Sequence, residues 1–242
     1  MLWFQKFFLQ DIANCRRGSV PDTKDAIKAK AEEKLGVGWS YQTTENVCKK
    51  SLSGGISLAQ GLAAADKLKL GVAAKNNRTA IQELQPYFSR IDARFYPLKK
   101  EDFRFGLGPN GEALSCKIKM FGLLHDGEKG CLHWVNYRLN DPTDELLRQL
   151  VASVAQQTYL IDPDYIGSAL MLHDISAIAK GIRSHRNYEG DQLLMMNDDQ
   201  IAAFFDPIHR ALYELIEEGF QPKKPEQKKQ PPKPDPDQPT LF

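Results

Sequence analysis

The chain has 242 residues, of which 42% are hydrophobic and 26% are charged, and its net charge is +1. These values are ordinary for a soluble protein with a buried core, and the four widely spaced cysteines form no disulfide framework, so we expect a reducing, cytoplasmic location. No apolar run approaches the roughly 18 residues of a membrane span, and the opening segment lacks the pattern of a signal peptide, which argues against a membrane partner.

The small net charge hides an uneven distribution. Residues 1–100 carry 17 basic against 9 acidic side chains, whereas residues 101–220 carry 10 against 19. A basic first part can follow a phosphate backbone, and an acidic second part repels one. The same distribution also fits two parts that dock on each other.

Residues 1–90 are predicted to form a basic, helical region. The first long helix starts at the Pro-Asp-Thr cap near residue 21 and ends at Gly36. A second helix is predicted over residues 57–70, and a third follows Gly71 and reaches about residue 88.

The last two of these helices have the spacing of a helix-turn-helix, with a glycine between them. Asn76, Asn77 and Arg78 would then be candidate DNA contacts at the start of the second helix. An ordinary helical hairpin has the same pattern, so the DNA interpretation stays one of two.

The middle of the chain changes to a strand pattern. Residues 102–139 contain β-forming runs separated by "PNG" and "DGEKG", which are turn signals. We predict an antiparallel β-meander here, inside an α+β region that spans residues 91–220 and forms one globular unit with residues 1–90.

The alternation within this meander assigns its side chains to two faces. If the second hairpin pairs His125 with Cys131, one face is apolar and is expected to join the core. It contains Leu114, Cys116, Ile118, Met120, Leu124, Leu132 and Trp134. The other face mixes basic and aromatic groups, and such a face can stack bases and hold phosphates.

The candidate nucleic-acid contacts on that second face are Lys117, Lys119, Phe121 and Tyr137. An amphipathic sheet half covered by helices would show the same pattern. The assumed pairing also gathers His125, Cys131 and His133, but a structural zinc site needs four ligands and no fourth is at hand. We therefore predict no metal and no other cofactor.

The third part of the chain returns to helical patterns. One helix is predicted to begin with Asp141 as its N-cap, another to cover residues 162–186, and a last one to run over about residues 198–218 with an apolar stripe. We thus expect α+β architecture, with helices before and after the β-meander.

The segment "ALMLHDIS" resembles the metal-binding centre of HD-domain phosphohydrolases. In that family an adjacent His and Asp on an apolar helix ligate a divalent metal that activates water. The resemblance implies that His173 and Asp174 are candidate catalytic residues of a metal-dependent phosphohydrolase or nuclease. The family pattern also requires an upstream histidine on a helix and a downstream Asp. Here the upstream candidates, His125 and His133, lie in strand-like sequence, and Asp198, Asp199 or Asp206 follow without a recognisable frame. Whether the protein is an enzyme stays open.

Residues 221–242 differ sharply from the rest in composition. "QPKKPEQKKQPPKPDPDQPTLF" is rich in Pro, Lys and Gln until its final two residues. Such a composition cannot bury apolar surface, and we predict an extended, disordered tail that ends in a short apolar motif.

The motif "QPTLF" resembles the bacterial sliding-clamp-binding peptide, Q-x-x-L-F. In that family the Gln occupies a small polar site, and the Leu and Phe fill an apolar pocket of the clamp. The matching segment comprises Gln238, Pro239, Thr240, Leu241 and Phe242, with Pro239 where Leu is commonest. The resemblance implies a replication or repair protein whose partner is the clamp, the beta subunit of DNA polymerase III.

Three other interpretations of the motif stay open: a protease-recognition tag, a peptide that adds a strand to a partner's sheet, and chance. A clamp-bound protein could act on DNA, or could inhibit replication by occupying the clamp pocket.

Overall fold

A five-stranded mixed sheet organises the protein. The structure is a computed structural model that describes residues 3–34, 40–138, 140, 142–179 and 182–223. The described residues form seven α-helices: α1 (Leu9–Ala13), α2 (Val20–Lys34), α3 (Gln42–Ser51), α4 (Leu58–Asp66), α5 (Gly71–Phe88), α6 (Glu145–Thr158) and α7 (Asp198–Glu217). Short 3₁₀ turns cover Trp3–Lys6, Leu52–Gly54 and Gly190–Gln192.

The described residues also form nine strands, and the predicted α+β class is confirmed. They are β1 (Arg94–Tyr96), β2 (Glu101–Leu107), β3 (Ala113–Ile118), β4 (Gly122–His125), β5 (Gly130–Asn136), β6 (Ala169–Asp174), β7 (Ala177–Ala179), β8 (Ile182–Arg183) and β9 (Arg186–Glu189). The main sheet has the order β1-β4-β5-β6-β9, and the other two sheets are the pairs β2-β3 and β7-β8.

The main sheet contains one parallel pair, β5 with β6, and its other neighbours are antiparallel. A parallel pair needs a crossover, and α6 lies in the connection that supplies it. The register places Asn136 opposite Asp174, so that both residues stand at the carboxyl ends of the two parallel strands.

Both predicted hairpins are present, with Gly111 and Gly127 at positive φ in their turns. The prediction that both hairpins belong to one continuous meander was wrong. Strands β2 and β3 form a sheet of their own, and β4 pairs with β1 instead of β3. Gly122 permits that pairing, since a Cβ at this position would overlap the ring of Phe95 in β1.

The predicted register of the second hairpin was wrong by one residue. His125 stands opposite Gly130, and Cys131 stands opposite Leu124. Because side chains alternate along a strand, this shift moves Leu124 to the face covered by α5, while Leu123 joins the opposite core.

The predicted helix over residues 162–186 was wrong: this segment contains β6, β7 and β8. Strand β6 lies between β5 and β9, and its run of apolar residues is typical of a strand covered on both faces. The preceding helix begins later than predicted, with Asp144 as N-cap and its side chain accepting a hydrogen bond from Leu147 N at 2.8 Å. Asp141 lies outside the described residues.

Two clusters of buried side chains cover the two faces of the sheet. The larger joins α1, α2, α6 and α7 to one face, and it includes Phe7, Ile27 and Phe205. The smaller joins α3 and α5 to the other face, with Phe88 against Phe121. Each cluster combines residues from before and after residue 90. Among the described helices, none has both the length and the apolar character needed to cross a membrane.

Candidate functional site

A cleft of about 930 Å³ lies where β3 ends, beside the starts of α1 and α3. All four residues predicted to contact nucleic acid, Lys117, Lys119, Phe121 and Tyr137, line it. The structure therefore brings this predicted group together, although the meander that suggested it is divided between two sheets.

Distant parts of the chain add further charged groups to the walls of this cleft. The basic side chains are Lys30, Lys100, Lys117, Lys119 and Arg138, and the acidic ones are Asp11, Glu33 and Glu45. Among the described residues, basic groups thus outnumber acidic ones in the cleft walls. A surface of this kind favours an anionic ligand.

Two of the bases are held by carboxylates that lie beneath them. Arg138 pairs with Asp11, and the side chain of Arg138 is 25% exposed while that of Asp11 is fully buried. Lys119 pairs with Glu45 in the same way, with side-chain exposures of 32% and 9%. Because each base is the more exposed partner, its positive charge is the one that faces the cleft.

Aromatic rings form another part of the walls. Tyr41 and Tyr137 are stacked with their ring centroids 5.2 Å apart and their planes 20° apart. Arg183 restrains Tyr41, because its Nη2 donates a hydrogen bond of 2.6 Å to the hydroxyl oxygen of Tyr41. Burial raises the pKa of both tyrosines, so both rings are neutral phenols at physiological pH.

Phe121 has a different position from that implied by the sequence. It is 5% exposed, and its ring packs against Phe88 at 4.7 Å in the core between the sheet and α5. Tyr41 is the half-buried ring that stacks beside Tyr137 instead. No sequence pattern pointed to Tyr41, because it precedes α3 and lies far from the strand pattern.

Two buried polar atoms in the cleft walls find no hydrogen-bond partner among the described residues. They are Nε2 of Gln10 and the hydroxyl oxygen of Tyr137. An unsatisfied buried polar group costs roughly 1–3 kcal/mol, so such groups are candidates for contact with a ligand.

His173 and Asp174 lie at the end of strand β6 and not on a helix, which corrects the setting implied by the hydrolase resemblance. His173 is the centre of a buried histidine chain, His133, His173 and His185. Nδ1 of His133 is 2.8 Å from Nε2 of His173, and Nδ1 of His173 is 2.9 Å from Nε2 of His185. Each imidazole therefore uses a ring nitrogen on its neighbour.

Burial favours the neutral form of the imidazole at all three positions of the histidine chain. It lowers the pKa of His133 to about 4 and the pKa of His173 well below its ordinary value. Burial also lowers the pKa of His185, although the nearby carboxylate of Asp174 opposes that shift. Neutral imidazoles suit a hydrogen-bonded chain, since each provides one donor and one acceptor.

The carboxylate of Asp174 accepts hydrogen bonds from four donors among the described residues. Its Oδ1 accepts from Asn136 Nδ2 at 3.1 Å and from Ser176 N at 2.8 Å. Its Oδ2 accepts from Thr143 N at 3.0 Å and from Arg186 Nη2 at 3.0 Å. This carboxylate joins the ends of β5 and β6 to the segments that follow them, which is a structural role.

No metal centre is evident in the part of the chain that the structure describes, where no three His, Cys, Asp or Glu side chains converge to hold an ion. His133 belongs to the histidine chain, and His125 Nδ1 accepts a hydrogen bond of 3.0 Å from Gly127 N. Cys131 is half-buried, with its thiol pKa raised by burial to about 11. The three side chains that the assumed pairing gathered, His125, Cys131 and His133, thus have separate surroundings.

The candidate helix-turn-helix contacts are also separated. Asn77 is fully buried, where its Oδ1 accepts hydrogen bonds from Thr44. Arg78 pairs with Asp66 at 2.7 Å on the surface, and Asn76 lines the cleft. This arrangement is that of a packed helical hairpin, because Asn77 is buried and makes its hydrogen bonds inside the protein.

The clamp-binding motif at residues 238–242 lies outside the described residues. No protein-family model, no curated protein and no solved structure matches this chain.

Proposed function

We propose that this protein binds the bacterial sliding clamp and is a replication or repair factor recruited by it. The observation that carries the proposal is the Q-x-x-L-F pattern at residues 238–242, which follows a Pro-, Lys- and Gln-rich stretch. Gln238 supplies the polar anchor, and Leu241 and Phe242 supply the two apolar side chains.

The preceding stretch gives this peptide its reach. Residues 221–237 contain six prolines, and a polyproline-like segment rises about 3 Å per residue, so 17 residues span up to roughly 50 Å. A tether of this kind raises the effective concentration of the folded body at the clamp, so even a modest peptide affinity suffices for recruitment.

Binding of the full chain to a purified, immobilised bacterial sliding clamp tests the proposal. Replacing both Leu241 and Phe242 with Ala is expected to weaken binding about 1,000-fold, because such anchors contribute about 2 kcal/mol each and about 1.4 kcal/mol is a factor of ten. Gln238→Ala is expected to weaken it about 10-fold, and Gln230→Ala in the same stretch is the matched control.

A substitution at position 239 tests whether clamp binding can be strengthened. Pro239 occupies the position where clamp-binding peptides most often carry Leu, so Pro239→Leu is expected to bind several-fold more tightly. If the double Ala variant binds the clamp as well as the unchanged chain, the motif is not the contact and the proposal is wrong.

Clamp-dependent primer extension separates recruitment from inhibition. An inhibitor would lower extension at the concentration that saturates the clamp, and the double Ala variant would restore it. A recruited factor whose body acts elsewhere would leave extension unchanged once clamp is in excess.

The alternative, a metal-dependent phosphohydrolase or nuclease using His173 and Asp174, has less support. Among the described residues both side chains are buried and hydrogen-bonded to protein groups, so neither presents an open ligand position. Elemental analysis of purified protein tests this alternative, since stoichiometric metal that is lost in His173→Ala would revive it.

A further inference from the structure

We infer that the cleft beside β3 holds a short stretch of single-stranded nucleic acid. The inference concerns the folded body alone and does not depend on the clamp proposal. It rests on three features of the cleft: its oriented cations, its stacked tyrosines and its buried polar atoms without partners among the described residues.

The cations come from separate segments that converge on the cleft. Lys30 belongs to α2, Lys100 to the connection between β1 and β2, Lys117 to β3 and Arg138 to the segment after β5. A free nucleotide carries its charge at one end, whereas a strand carries one phosphate per nucleotide. Cations placed on several walls therefore fit a strand better.

Lys100 and Lys117 are the least restricted of these cations. Lys100 is exposed and lies over the ring of Phe8, with its Nζ 5.4 Å from the ring centroid. Lys117 is half-buried and its Nζ is 3.1 Å from Asp102 Oδ1, a pair whose acid is 59% exposed. Exposed ion pairs contribute little and exchange partners readily, so a phosphate can replace Asp102.

The stacked pair Tyr41 and Tyr137 supplies an aromatic platform within the same cleft. Stacking of a base on an aromatic side chain tolerates every base, because each has a flat π-face. The restraint on Tyr41 by Arg183 keeps its ring in place before a ligand arrives.

The buried polar atoms provide the third feature. Gln10 Nε2 is a donor, and the Tyr137 hydroxyl both donates and accepts. Base edges and phosphate oxygens carry the complementary groups, so a bound strand would satisfy atoms that otherwise remain unpaired among the described residues.

A duplex fits this site less well than a single strand. Its phosphates face outward and its bases are stacked inside, so a ring recessed in a cleft cannot reach their faces. The cleft volume, about 930 Å³, is within the usual range for concave ligand sites and can enclose only a short part of a strand.

Fluorescence anisotropy with the full chain tests the inference. The probes are labelled oligothymidylate, the same length as a duplex with oligoadenylate, and thymidine triphosphate as competitor. We expect the single strand to bind at low salt, the duplex to bind at least 10-fold more weakly, and the triphosphate to compete only at far higher concentration.

Charge reversal is the decisive variant. The double change Lys100→Glu and Lys117→Glu is expected to weaken single-strand binding at least 20-fold and to lower the slope of log affinity against log salt by about 0.7 per lost phosphate contact. Lys129→Glu, on the exposed turn of the β4-β5 hairpin, is the matched control and should change binding less than threefold.

The stacking arm uses Tyr41. Tyr41→Ala is expected to weaken binding about 10-fold, while Tyr41→Phe keeps the ring and should retain binding within threefold. Circular dichroism melts identify any variant that fails to fold, and the charge reversals on partly exposed lysines keep the test decisive if Tyr41→Ala does.

Three results would overturn the inference: no single-strand binding at about 50 mM salt, equal binding of single strand and duplex, or affinity unchanged by the double charge reversal. A chain lacking residues 238–242 should bind the strand as the full chain does. Loss of clamp binding with retained strand binding, or the reverse, therefore distinguishes failure of this inference from failure of the clamp proposal.

Discussion

Two buried carboxylates, Asp11 beneath the cleft and Asp174 at the end of the parallel strands, are each paired with an arginine. In both pairs the acid is hidden and the arginine is partly exposed, at 25% for Arg138 and 29% for Arg186. The pairs differ in where the arginine lies. Arg186 also donates to Ser176 Oγ at 2.6 Å and so belongs to the network around Asp174, whereas Arg138 lines the cleft.

This difference separates a structural role from a supporting one. The charge of Asp174 is spread over donors from four segments, so its function is to hold those segments together. Asp11 pairs with Arg138, which lines the cleft. Similar ion pairs can thus join segments of a fold or place a cation in a cleft wall, and the position of the arginine decides which.

Asp174→Ala should have the largest effect on stability. It removes one acceptor each from Asn136 Nδ2, Thr143 N and Ser176 N and the carboxylate paired with Arg186, so we expect the free energy of unfolding to fall by about 4–5 kcal/mol. Urea denaturation followed by circular dichroism measures this. The exposed Glu189, changed to Ala, is the control, and a loss below about 1 kcal/mol for Asp174→Ala would contradict the structural role.

Arg138→Ala is expected to cost less, about 3 kcal/mol, because it breaks the ion pair with the buried Asp11 while the Phe8 amide still donates to that carboxylate. The double variant Asp11→Ala with Arg138→Ala should recover part of that loss, since the carboxylate that Arg138 neutralises is then absent as well. Urea denaturation of the two single variants and the double variant gives the coupling energy. Additive losses would show that the two side chains do not act as a pair.

The histidine chain predicts how stability depends on pH. Since burial lowers the folded-state pKa of His133 to about 4, the unfolded chain takes up a proton first as the pH falls below about 6.5. Its contribution is fully present above that pH and is lost as the pH falls from about 6.5 toward 4. Between pH 7.5 and 5 we expect a loss of about 2 kcal/mol from this group.

Urea denaturation at pH 7.5, 6.5, 5.5 and 5 measures that loss, with His133→Gln beside the unchanged chain. Over the interval from pH 7.5 to 5, the stability of the variant should fall by about 2 kcal/mol less than that of the unchanged chain. His209→Gln is the matched control, because His209 lies outside the histidine chain and contacts Leu107 O at 2.9 Å. Identical pH profiles for the unchanged chain and His133→Gln would contradict the assignment.

The cleft and the Asp174 site also differ in how far the sequence predicts them. Alternation along the strand pattern indicated Lys117, Lys119 and Tyr137, because a period of two is visible within one segment. Asp11, Tyr41 and Arg138 come from other segments, and only tertiary packing brings them to the cleft. Neither their spacing nor their residue types signal this.

The setting of His173 and Asp174 could not be predicted from local pattern. A short apolar run such as "ALML" fits a buried helix and a strand covered on both faces equally well, and only the crossover through α6 decides for the strand. By contrast, the glycine turns and the apolar stripe of α7 are local signals, and both predicted features are present. The register of the second hairpin could not be predicted from local pattern either, since a shift of one residue leaves the composition of each strand unchanged.

Tyr41→Phe should give the smallest effect and tests how the cleft is supported. The change removes the hydrogen bond from Arg183 Nη2, while Arg183 still donates to Thr79 Oγ1, Tyr137 O and Ile175 O. We therefore expect a loss of about 1 kcal/mol in urea denaturation, with the stacking on Tyr137 retained. Arg183→Lys, which cannot reproduce the planar fork, should cost more. If Tyr41→Phe cost as much as Arg183→Lys, the hydroxyl would be essential to the core, and the cleft wall would belong with the structural network around Asp174.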